Sequence, residues 1–465
     1  MDDLIHSEKG LFIVTIIAVM AAWGGMIDGG YISDDWAWLE RAAGGTVLRD
    51  GKFFRPVCWL TWLITPLHYP SVSHALDLFV HWLCSCAVGL LVVNLGGSWI
   101  AGIGAGIIFA TAPTLNEAVC WSSARCGPFS LCLVLLAMNL ALQGSRWAVI
   151  PIVFVALGVK EPALFAMWGL PLVLWAGKAI RSAIRCALIC MVFLILYFII
   201  IRMTGAFLDI GGGYAAPFRL SRSLHHLGAY LGMIVGVPKT TWLWPLWIVL
   251  GIVSIIPLSR NSRLPVMLWT WQSILFTPFI RLGGPEQARF LYPLSIVPLI
   301  GVAVFLDRTR RFSHLVRMVT VTFVLIFMVS NIVYSRRISQ DWLKASRISD
   351  IVIRKSLQRL EPDRPHIVIN QPEFLGEAHI FRNGFFESLR LVSGNDSYRG
   401  VTIAPSEGVV TAGELQRWLE NRASELMNND RTVAWLFRDN RPLPLKGWRL
   451  REHVNTPLER LVDPR

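Results

Sequence analysis

The sequence predicts an all-α polytopic membrane protein of about eleven transmembrane helices, followed by a small C-terminal α/β domain. Two observations lead to this fold class. Hydrophobic residues occupy 54% of the 465 positions and charged residues only 16%, with a mean hydropathy of +0.51. Apolar runs of spanning length recur up to residue 335, whereas from residue 336 charges of both signs return and no run is long enough to cross a bilayer.

Apolar segments divide the first 335 residues into candidate spans. They cover residues 11–27, 76–97, 99–113, 127–143, 147–159, 162–177, 186–203, 241–258, 264–281, 290–306 and 317–335. The third and the fifth are short for a span. The N-terminus has neither a basic n-region nor a small-residue cleavage site, so we expect the first segment to be retained rather than removed as a signal peptide.

The distribution of basic residues predicts the orientation. If the N-terminus is cytoplasmic, every short basic connection lies inside, as the positive-inside rule requires. These connections contain Arg146, Lys178, Arg181, Arg185, Arg260, Arg263, Arg308, Arg310, Arg311 and Arg317. The net charge of +13 therefore needs no nucleic-acid partner, which we do not expect. The odd number of spans places the C-terminal domain outside, and we expect an integral protein of the bacterial cytoplasmic (inner) membrane.

Residues 336–465 form the predicted extracytoplasmic domain, after a transmembrane domain at 1–335. His366–Asn370 and Thr432–Phe437 are short β-branched and aromatic runs typical of strands. Thr411–Met427 has a helix-starting threonine and apolar residues at helical spacing. A small α/β unit is the expected result.

The eight cysteines all precede residue 200, and none lies in the predicted outer domain. A disulfide framework would place cysteines in the exposed part of a protein, so we expect most of them to be small apolar residues within helices. Cys120 with Cys126 is the only pair for which a disulfide is considered. Cys84 and Cys86 lack further ligands at zinc spacing, so no metal site is predicted.

Two adjacent carboxylates, Asp34 and Asp35, lie just past the first span, on the predicted outer side. Side-by-side carboxylates resist double ionisation, which raises the pKa of one of them toward neutral pH. Either aspartate can then serve as a general base. The alternative is a solvated turn that caps a short helix at Trp36.

Cationic residues recur in the later outer loops. Transfer of a sugar from a lipid-phosphate carrier needs a base for the acceptor hydroxyl and cations on the departing phosphate, for which Arg125, Lys160 and Arg289 are candidates. Each has an alternative role. Glu117 and Arg125 can form a structural ion pair eight residues apart on one helix, Lys160 can snorkel to the interface, and Arg289 with Tyr292 can belong to an interfacial belt.

Several motifs resemble those of the GT-C superfamily of membrane glycosyltransferases, in particular the branch of protein O-mannosyltransferases and the aminoarabinose transferase of lipid A. The acidic pair of the first outer loop is its hallmark. The other matching segments are Phe54-Arg55-Pro56, His74-x-x-Asp77-x-x-x-His81 with aspartate in place of the usual asparagine, Pro113-x-x-x-Glu117-Ala-Val-x-Trp121-x-x-x-Arg125, Lys160-Glu161 and Arg289-x-x-Tyr292. Together they span roughly residues 10 to 300, whereas the region after Arg336 matches no known pattern.

The resemblance implies a GT-C-like fold and an inverting, metal-independent transfer from a polyprenyl-phosphate sugar, with Asp34 as base and Asp35 or Glu117 in support. It also implies that Arg55, Glu117, Arg125, Lys160, Glu161, Arg289 and Tyr292 bind the substrate or the donor phosphate. No cofactor is expected beyond the lipid-linked donor. The acceptor can be a glycan, a lipid or a protein, and the absence of tetratricopeptide repeats makes the protein-mannosylating relatives poor guides to it.

The sequence is also compatible with three other classes of protein. A lipid-linked glycan polymerase or ligase would carry its essential residues in a large, late outer loop. A lipid or glycan flippase or transporter would show broken helices, mid-span charges and related halves. A non-enzymatic scaffold or sensor would act through residues 336–465 alone.

Overall fold

The structure, a computed structural model, describes residues 7–45, 55–65, 67–204, 219–235, 237, 242–255, 263–280, 286–309, 314–446 and 455–462. Phe53 and Phe54 of the first outer loop and the ends of several predicted spans lie outside these ranges. The chain forms two compact units. The first comprises Met1–Gly25, Leu48–Ile64 and Val72–Ser339, and the second comprises Met26–Val47, Thr65–Ser71 and Gln340–Arg465.

The first unit is built of helices. Their bounds are Glu8–Trp23, Pro56–Leu63, Pro70–Asn94, Trp99–Thr111, Asn116–Cys120, Cys126–Leu142, Arg146–Val159, Ala163–Ala166, Gly169–Ala176, Ile180–Thr204, Leu220–Ile234, Trp244–Ile255, Leu264–Phe276, Leu291–Leu294, Ile296–Thr309 and His314–Leu357. The last of these continues into residues of the second unit. Short 3₁₀ turns lie at Gly24–Asp28, Pro113–Leu115, Ser122–Ala124 and Ala288–Phe290.

Four described helices are long and apolar enough to cross a bilayer, or five if the pair Trp99–Thr111 and Pro113–Cys120, bent by 52°, counts as one span. Five shorter apolar helices of 10–17 residues accompany them. The apolar helices support an integral membrane protein, whereas the number of eleven spans stays a prediction. The predicted 162–177 span is divided into Ala163–Ala166 and Gly169–Ala176.

Glycines let the helices Pro70–Asn94 and Trp99–Thr111 approach closely. A Cβ atom added to Gly89 would lie 2.7 Å from the carbonyl oxygen of Gly102, and one added to Gly102 would lie 2.7 Å from the carbonyl oxygen of Gly89. Small residues at such a crossing allow backbone contact between membrane helices. The two glycines therefore hold the helix Pro70–Asn94 close to the helix Trp99–Thr111. Several candidate site residues lie on these helices or shortly after them in the sequence.

A disulfide joins Cys58 to Cys126, whose Cα atoms are 5.6 Å apart. The expectation that Cys126 would pair, if at all, with Cys120 is wrong, because Cys120 is a buried free thiol. The bond connects the helix Pro56–Leu63 to the start of Cys126–Leu142, and both cysteines pack on Val159. Sequence proximity favoured the wrong partner, since the correct one is 68 residues away.

Loss of this disulfide is expected to destabilise the first unit. Replacing Cys58 and Cys126 by serine should lower the free energy of unfolding by about 2–4 kcal/mol, because the bond closes a long loop in the unfolded chain. The measurement is thermal unfolding of the purified protein with and without a phosphine reductant. Reductant should lower the melting temperature of the wild type and leave that of the double variant unchanged. An unchanged wild type would contradict the assignment.

The strands of the second unit are β1 Pro365–Ile369, β2 Phe374–Leu375, β3 Ala378–His379, β4 Arg399–Ile403, β5 Val433–Arg438 and β6 Arg441–Pro444. One sheet has four strands in the order β4-β1-β5-β6, with β1 paired in parallel to both β4 and β5 and β6 antiparallel to β5. A second sheet pairs β2 with β3. The strands are accompanied by the end of the helix His314–Leu357 and by the helices Asp34–Ala43, Phe385–Ser393, Ala412–Arg422 and Ser424–Met427.

The predicted α/β elements of the C-terminal region are confirmed. The two predicted strands correspond to β1 and β5, and the predicted helix begins at Thr411, whose hydroxyl accepts from the N–H of Glu414 in a capping box. Buried apolar side chains of the strands and of this helix form one core. The sequence did not predict that residues 26–47 of the first loop belong to this unit.

Candidate active site

The candidate residues of the first unit are organised as two arginine–glutamate pairs. Arg55 binds Glu161 through two hydrogen bonds, with Nε 2.7 Å from Oε1 and an Nη atom 2.8 Å from Oε2. Glu117 binds Arg289 with its Oε1 3.1 Å from Nη1, while its Oε2 accepts the backbone N–H of Arg289 at 2.8 Å. Both pairs are largely shielded from solvent, with side-chain exposures of 6–17%.

Lys160 sits next to both pairs. Pro162 disfavours helical backbone at the residue before it, and the helix Arg146–Val159 accordingly ends just before Lys160, which is extended. Among the residues that the structure describes, the Lys160 ammonium has no hydrogen-bond or ion-pair partner. Its charge nevertheless interacts with Arg55, Arg289, Glu161 and Glu117.

The surroundings of Lys160 lower its pKa. The largest cause is burial, which removes water from the charged amine and so favours its neutral form. The nearby positive charges of Arg55 and Arg289 lower the pKa further. Glu161 and Glu117 oppose it only in part, and the pKa falls from 10.5 to about 7. An additional anion beside this group would favour the protonated form.

A small pocket separates Lys160 from Arg289. Its remaining wall is mostly apolar and includes Pro162, Phe279 and Phe290. The Arg289 guanidinium lies over the rings of Trp121 and Phe290, at 5.2 and 5.4 Å from their centroids. Such rings hold a guanidinium in place without using its N–H donors.

Arg125 belongs to a different, deeper network. Its Nε lies 2.8 Å from Oδ1 of Asp77, an Nη atom bonds to the Ser73 hydroxyl, and its guanidinium stacks over Trp62 at 4.8 Å. Ser122 donates to the other oxygen of Asp77 at 2.7 Å. The structure thus pairs Arg125 with Asp77 and Glu117 with Arg289. The alternative prediction, an ion pair between Glu117 and Arg125 on one helix, is wrong.

Tyr292 is also engaged inside the protein. Its hydroxyl lies 2.8 Å from Nδ1 of His81, whose Nε2 lies 3.1 Å from the carbonyl oxygen of Ala110. The rings of Phe109 and Tyr292 meet edge to face at 5.2 Å. Tyr292 and His81 are fully buried, and these contacts favour a role in positioning the helix that follows Arg289.

The acidic pair lies in the second unit, at the start of the helix Asp34–Ala43. Asp35 is buried, and its Oδ2 accepts the backbone N–H of Ile32 at 3.2 Å. Asp34 is partly exposed, and its Oδ1 accepts a hydrogen bond of 2.6 Å from the side-chain amide of Asn383. Sequence reasoning did not find Asn383, since 349 residues separate it from Asp34.

Residue Ser33, directly before the pair, has a strained backbone. Its φ of +48° and ψ of −125° are unusual for a residue with a side chain, and such conformations cost about 1–3 kcal/mol. The Ser33 N–H bonds to the carbonyl oxygen of Ile380 at 2.8 Å, and its own carbonyl oxygen would lie 2.1 Å from a Cβ on Gly384. Strain held by neighbouring backbone is typical of functional sites.

Glu40, on the same helix, anchors it to the C-terminal part of the chain. Arg390 donates two hydrogen bonds to the Glu40 carboxylate, one of them 3.0 Å long, and a third of 2.7 Å to the carbonyl oxygen of Tyr398. This contact holds the acidic pair near Asn383 within the second unit. Within the described ranges, no group of three or more histidine, cysteine, aspartate or glutamate residues is arranged to hold a metal ion.

The structure resembles several solved structures, among them those of an oligosaccharyltransferase and of ArnT. The apo oligosaccharyltransferase of Archaeoglobus fulgidus matches 93% of this chain and 69% of its own, with a TM-score of 0.51 and 10% identity. ArnT from Cupriavidus metallidurans, solved with bound undecaprenyl phosphate, matches 92% of this chain and 93% of its own, with a TM-score of 0.50 and 12% identity. No protein-family model matches the sequence, and no curated protein is similar to it. The chain has the fold of these two proteins, which confirms the GT-C-like fold implied by the motifs.

Proposed function

We propose that the protein is a membrane glycosyltransferase that moves one sugar from a polyprenyl-phosphate carrier to an acceptor hydroxyl on the non-cytoplasmic face. The observation that carries this proposal is the Lys160 ammonium, which has no partner in the described chain and lies beside two arginine–glutamate pairs. Three cations against two carboxylates leave this cluster with an excess positive charge. Such a cluster suits an anion, and the GT-C fold suggests which anion it is.

The proposed reaction is a single displacement. The acceptor hydroxyl gives its proton to the carboxylate of Asp34 while its oxygen forms a bond to the anomeric carbon of the donor sugar. The bond from that carbon to the phosphate oxygen breaks, and polyprenyl phosphate leaves with the electron pair. One displacement inverts the anomeric configuration. Lys160, Arg55 and Arg289 stabilise the negative charge that develops on the phosphate.

The two aspartates suit different roles. Asn383 donates to Oδ1 of Asp34, and Oδ2 has no hydrogen-bond partner in the described chain, so this oxygen can accept a proton. Asp35 is buried and bonded to backbone, which suits a supporting role. Glu117 and Glu161 orient the two arginines, while Arg125 and Tyr292 act as positioning residues.

The disulfide supports the proposed side of the membrane. Cys58 and Cys126 lie three residues from Arg55 and one residue from Arg125, so the bond is close in sequence to the candidate site. Disulfides persist in oxidising compartments and are rare in the cytosol. The C-terminal domain, proposed to lie on the same side, would select the acceptor, because loops and appended domains near a site commonly recognise substrates.

The direct test of the phosphate site is binding of undecaprenyl phosphate to the purified protein. Lys160→Gln should weaken binding roughly tenfold to hundredfold, because a hydrogen bond to a charged group is worth about 1.5–3 kcal/mol. Lys344→Gln, which removes an exposed lysine of the helix His314–Leu357, is the matched control and should bind normally. Equal affinity of the wild type and Lys160→Gln would refute the assignment of the phosphate to this cluster.

The lowered pKa of Lys160 predicts a pH dependence of carrier binding. The amine is protonated below its pKa of about 7 and neutral above it, so its contribution to phosphate affinity should fall as the pH rises from 6 to 8.5. The phosphate itself also titrates in this range. Lys160→Arg, which stays charged, corrects for that effect, and the ratio of the wild-type to the variant dissociation constant should rise with pH. A ratio independent of pH would contradict the account.

A further inference from the structure

A second pocket of the first unit has no part in the proposed reaction. It is a groove of about 480 Å³ among the helices Cys126–Leu142, Arg146–Val159, Gly169–Ala176 and Ile180–Thr204. Most of its wall is apolar, with Val149, Val153, Leu170, Leu174, Ile189 and Phe193. Ligand sites typically have volumes of roughly 300–1,000 Å³, so the groove is large enough for a lipid chain.

The groove and the phosphate cluster lie toward opposite ends of the same helix. Gly144, just before the helix Arg146–Val159, lines the groove, as do Val149 in the first half of that helix and Val153 near its middle, whereas Lys160 follows its last residue. A helix of this length is roughly 21 Å long. None of the candidate catalytic or phosphate-binding residues lines the groove, so it is a separate site.

One end of the groove carries three exposed cations. Arg185 lines it, Arg181 precedes Arg185 by about one helical turn, and Lys178 lies between two lining residues, Gly177 and Ala179. Residues four apart share a helix face. None of the three cations has a hydrogen-bond or ion-pair partner within the described ranges. Basic residues at the end of a membrane helix are the usual receptors for anionic lipid head groups.

Lys178 occupies a conformation that a lysine rarely adopts. Its φ is +63°, and it follows Gly177 at the end of the helix Gly169–Ala176. Glycine or asparagine is the ordinary choice for a left-handed residue at a helix end. A lysine at this position is unfavourable for the backbone, which makes its side chain a candidate for a role at the groove.

The wall formed by Ile180–Thr204 is open to the bilayer. Only 11% of the most apolar window of this span is buried inside the protein, compared with 67% for Pro70–Asn94. Apolar side chains along it, among them Ile184, Leu188 and Ile189, are 37–63% exposed. A lipid can therefore enter the groove sideways from the membrane.

We propose that this groove is a binding site for an anionic phospholipid, whose acyl chains pack on Val149, Val153 and Phe193 and whose phosphate is bound by Arg181 and Arg185, with Lys178 contributing charge. The combination of an apolar wall, access from the bilayer and three unpaired cations at one end identifies this class of ligand. The proposal is independent of the proposed transferase activity.

The test is titration of the detergent-purified full chain with dioleoyl phosphatidylglycerol and dioleoyl phosphatidylcholine, followed by native mass spectrometry. The two lipids have the same acyl chains, so a difference between them reports the head group. Phosphatidylglycerol should bind at least fivefold more tightly, and Arg185→Gln should weaken it about fivefold, since one basic residue contributes about that factor. Arg417→Gln, which removes an exposed arginine of Ala412–Arg422, is the control and should have no effect.

The variant Lys178→Gly distinguishes a loss of positive charge from a loss of stability. Glycine relieves the left-handed backbone, so this variant should unfold at the same or a higher temperature and still bind phosphatidylglycerol about fivefold more weakly. Equal affinity for the two lipids, or unchanged binding by both variants, would overturn the proposal. It would also be overturned if undecaprenyl phosphate displaced phosphatidylglycerol from the wild type, or if a second copy of the chain occupied the groove and Arg185→Gln dissociated the dimer.

Discussion

Replacing Asp34 by asparagine is expected to slow sugar transfer by about 10²–10⁴-fold, because the variant loses the carboxylate that we propose takes the proton of the acceptor hydroxyl. Asparagine preserves the size of the side chain and can still bond to Asn383 after a flip of its amide. The assay uses the purified protein in vesicles, a panel of labelled polyprenyl-phosphate sugars and a lipid extract from cells that lack the gene. Binding of undecaprenyl phosphate should remain near the wild-type level.

Three further variants make this result specific. Asp363→Asn removes an exposed carboxylate of the same unit and should transfer normally. Asp35→Asn should also lose transfer, through the orientation of the loop rather than through proton transfer. Formate should therefore restore part of the activity of Asp34→Ala and none of that of Asp35→Ala. If formate rescued only Asp35→Ala, Asp35 would be the base and Asp34 the supporting residue. Full transfer by both asparagine variants would refute catalysis by the pair.

Replacing Arg125 by methionine is expected to lower the free energy of unfolding by about 3–5 kcal/mol, because it leaves the buried carboxylate of Asp77 without its cation. Arg125 and Asp77 are only 2% and 4% exposed, and water cannot readily replace the lost partner. The measurement is thermal and denaturant unfolding of the detergent-solubilised protein. The double variant Arg125→Met with Asp77→Leu should recover most of the stability, since an apolar pair of similar volume removes the uncompensated charge.

The same pair of variants distinguishes a positioning residue from a phosphate ligand. If Arg125 acts through Asp77 and Ser73, the folded fraction of the double variant should bind undecaprenyl phosphate about as tightly as the wild type. If the Arg125→Met protein were stable but bound the carrier much more weakly, Arg125 would instead be a ligand of the phosphate.

Short-range patterns predicted much of the local structure. Thr411, followed by apolar residues at helical spacing, predicts the start of a helix. In the structure its hydroxyl caps that helix by accepting from the N–H of Glu414, a contact only three residues away. The β-branched run at 366–369 similarly predicts β1. The motif spacing identified the loops that contain Glu117, Lys160 and Arg289, and in the structure these three residues share one electrostatic cluster.

Partner choice over long sequence distances could not be predicted in the same way. Arg55 and Glu161 are 106 residues apart, and Glu117 and Arg289 are 172 apart. Arg125 has a glutamate eight residues before it, but the helix that carries Glu117 ends at Cys120 and the backbone is extended at Trp121. Helix packing places Asp77 beside Arg125 instead. The same reason explains the disulfide, which joins segments brought together by the contact of Pro56–Leu63 with Arg146–Val159 rather than by sequence.

Mass spectrometry of surface glycans and lipids shows whether this chain adds one sugar from a lipid carrier to a cell-surface acceptor. Three strains are compared: one with the wild-type gene, one without it, and one with Asp34→Asn at the native level of expression. We expect a single glycosyl mass increment that is present in the wild type to be missing from the other two strains. An identical set of glycan masses in the wild type and the deletion strain would contradict it.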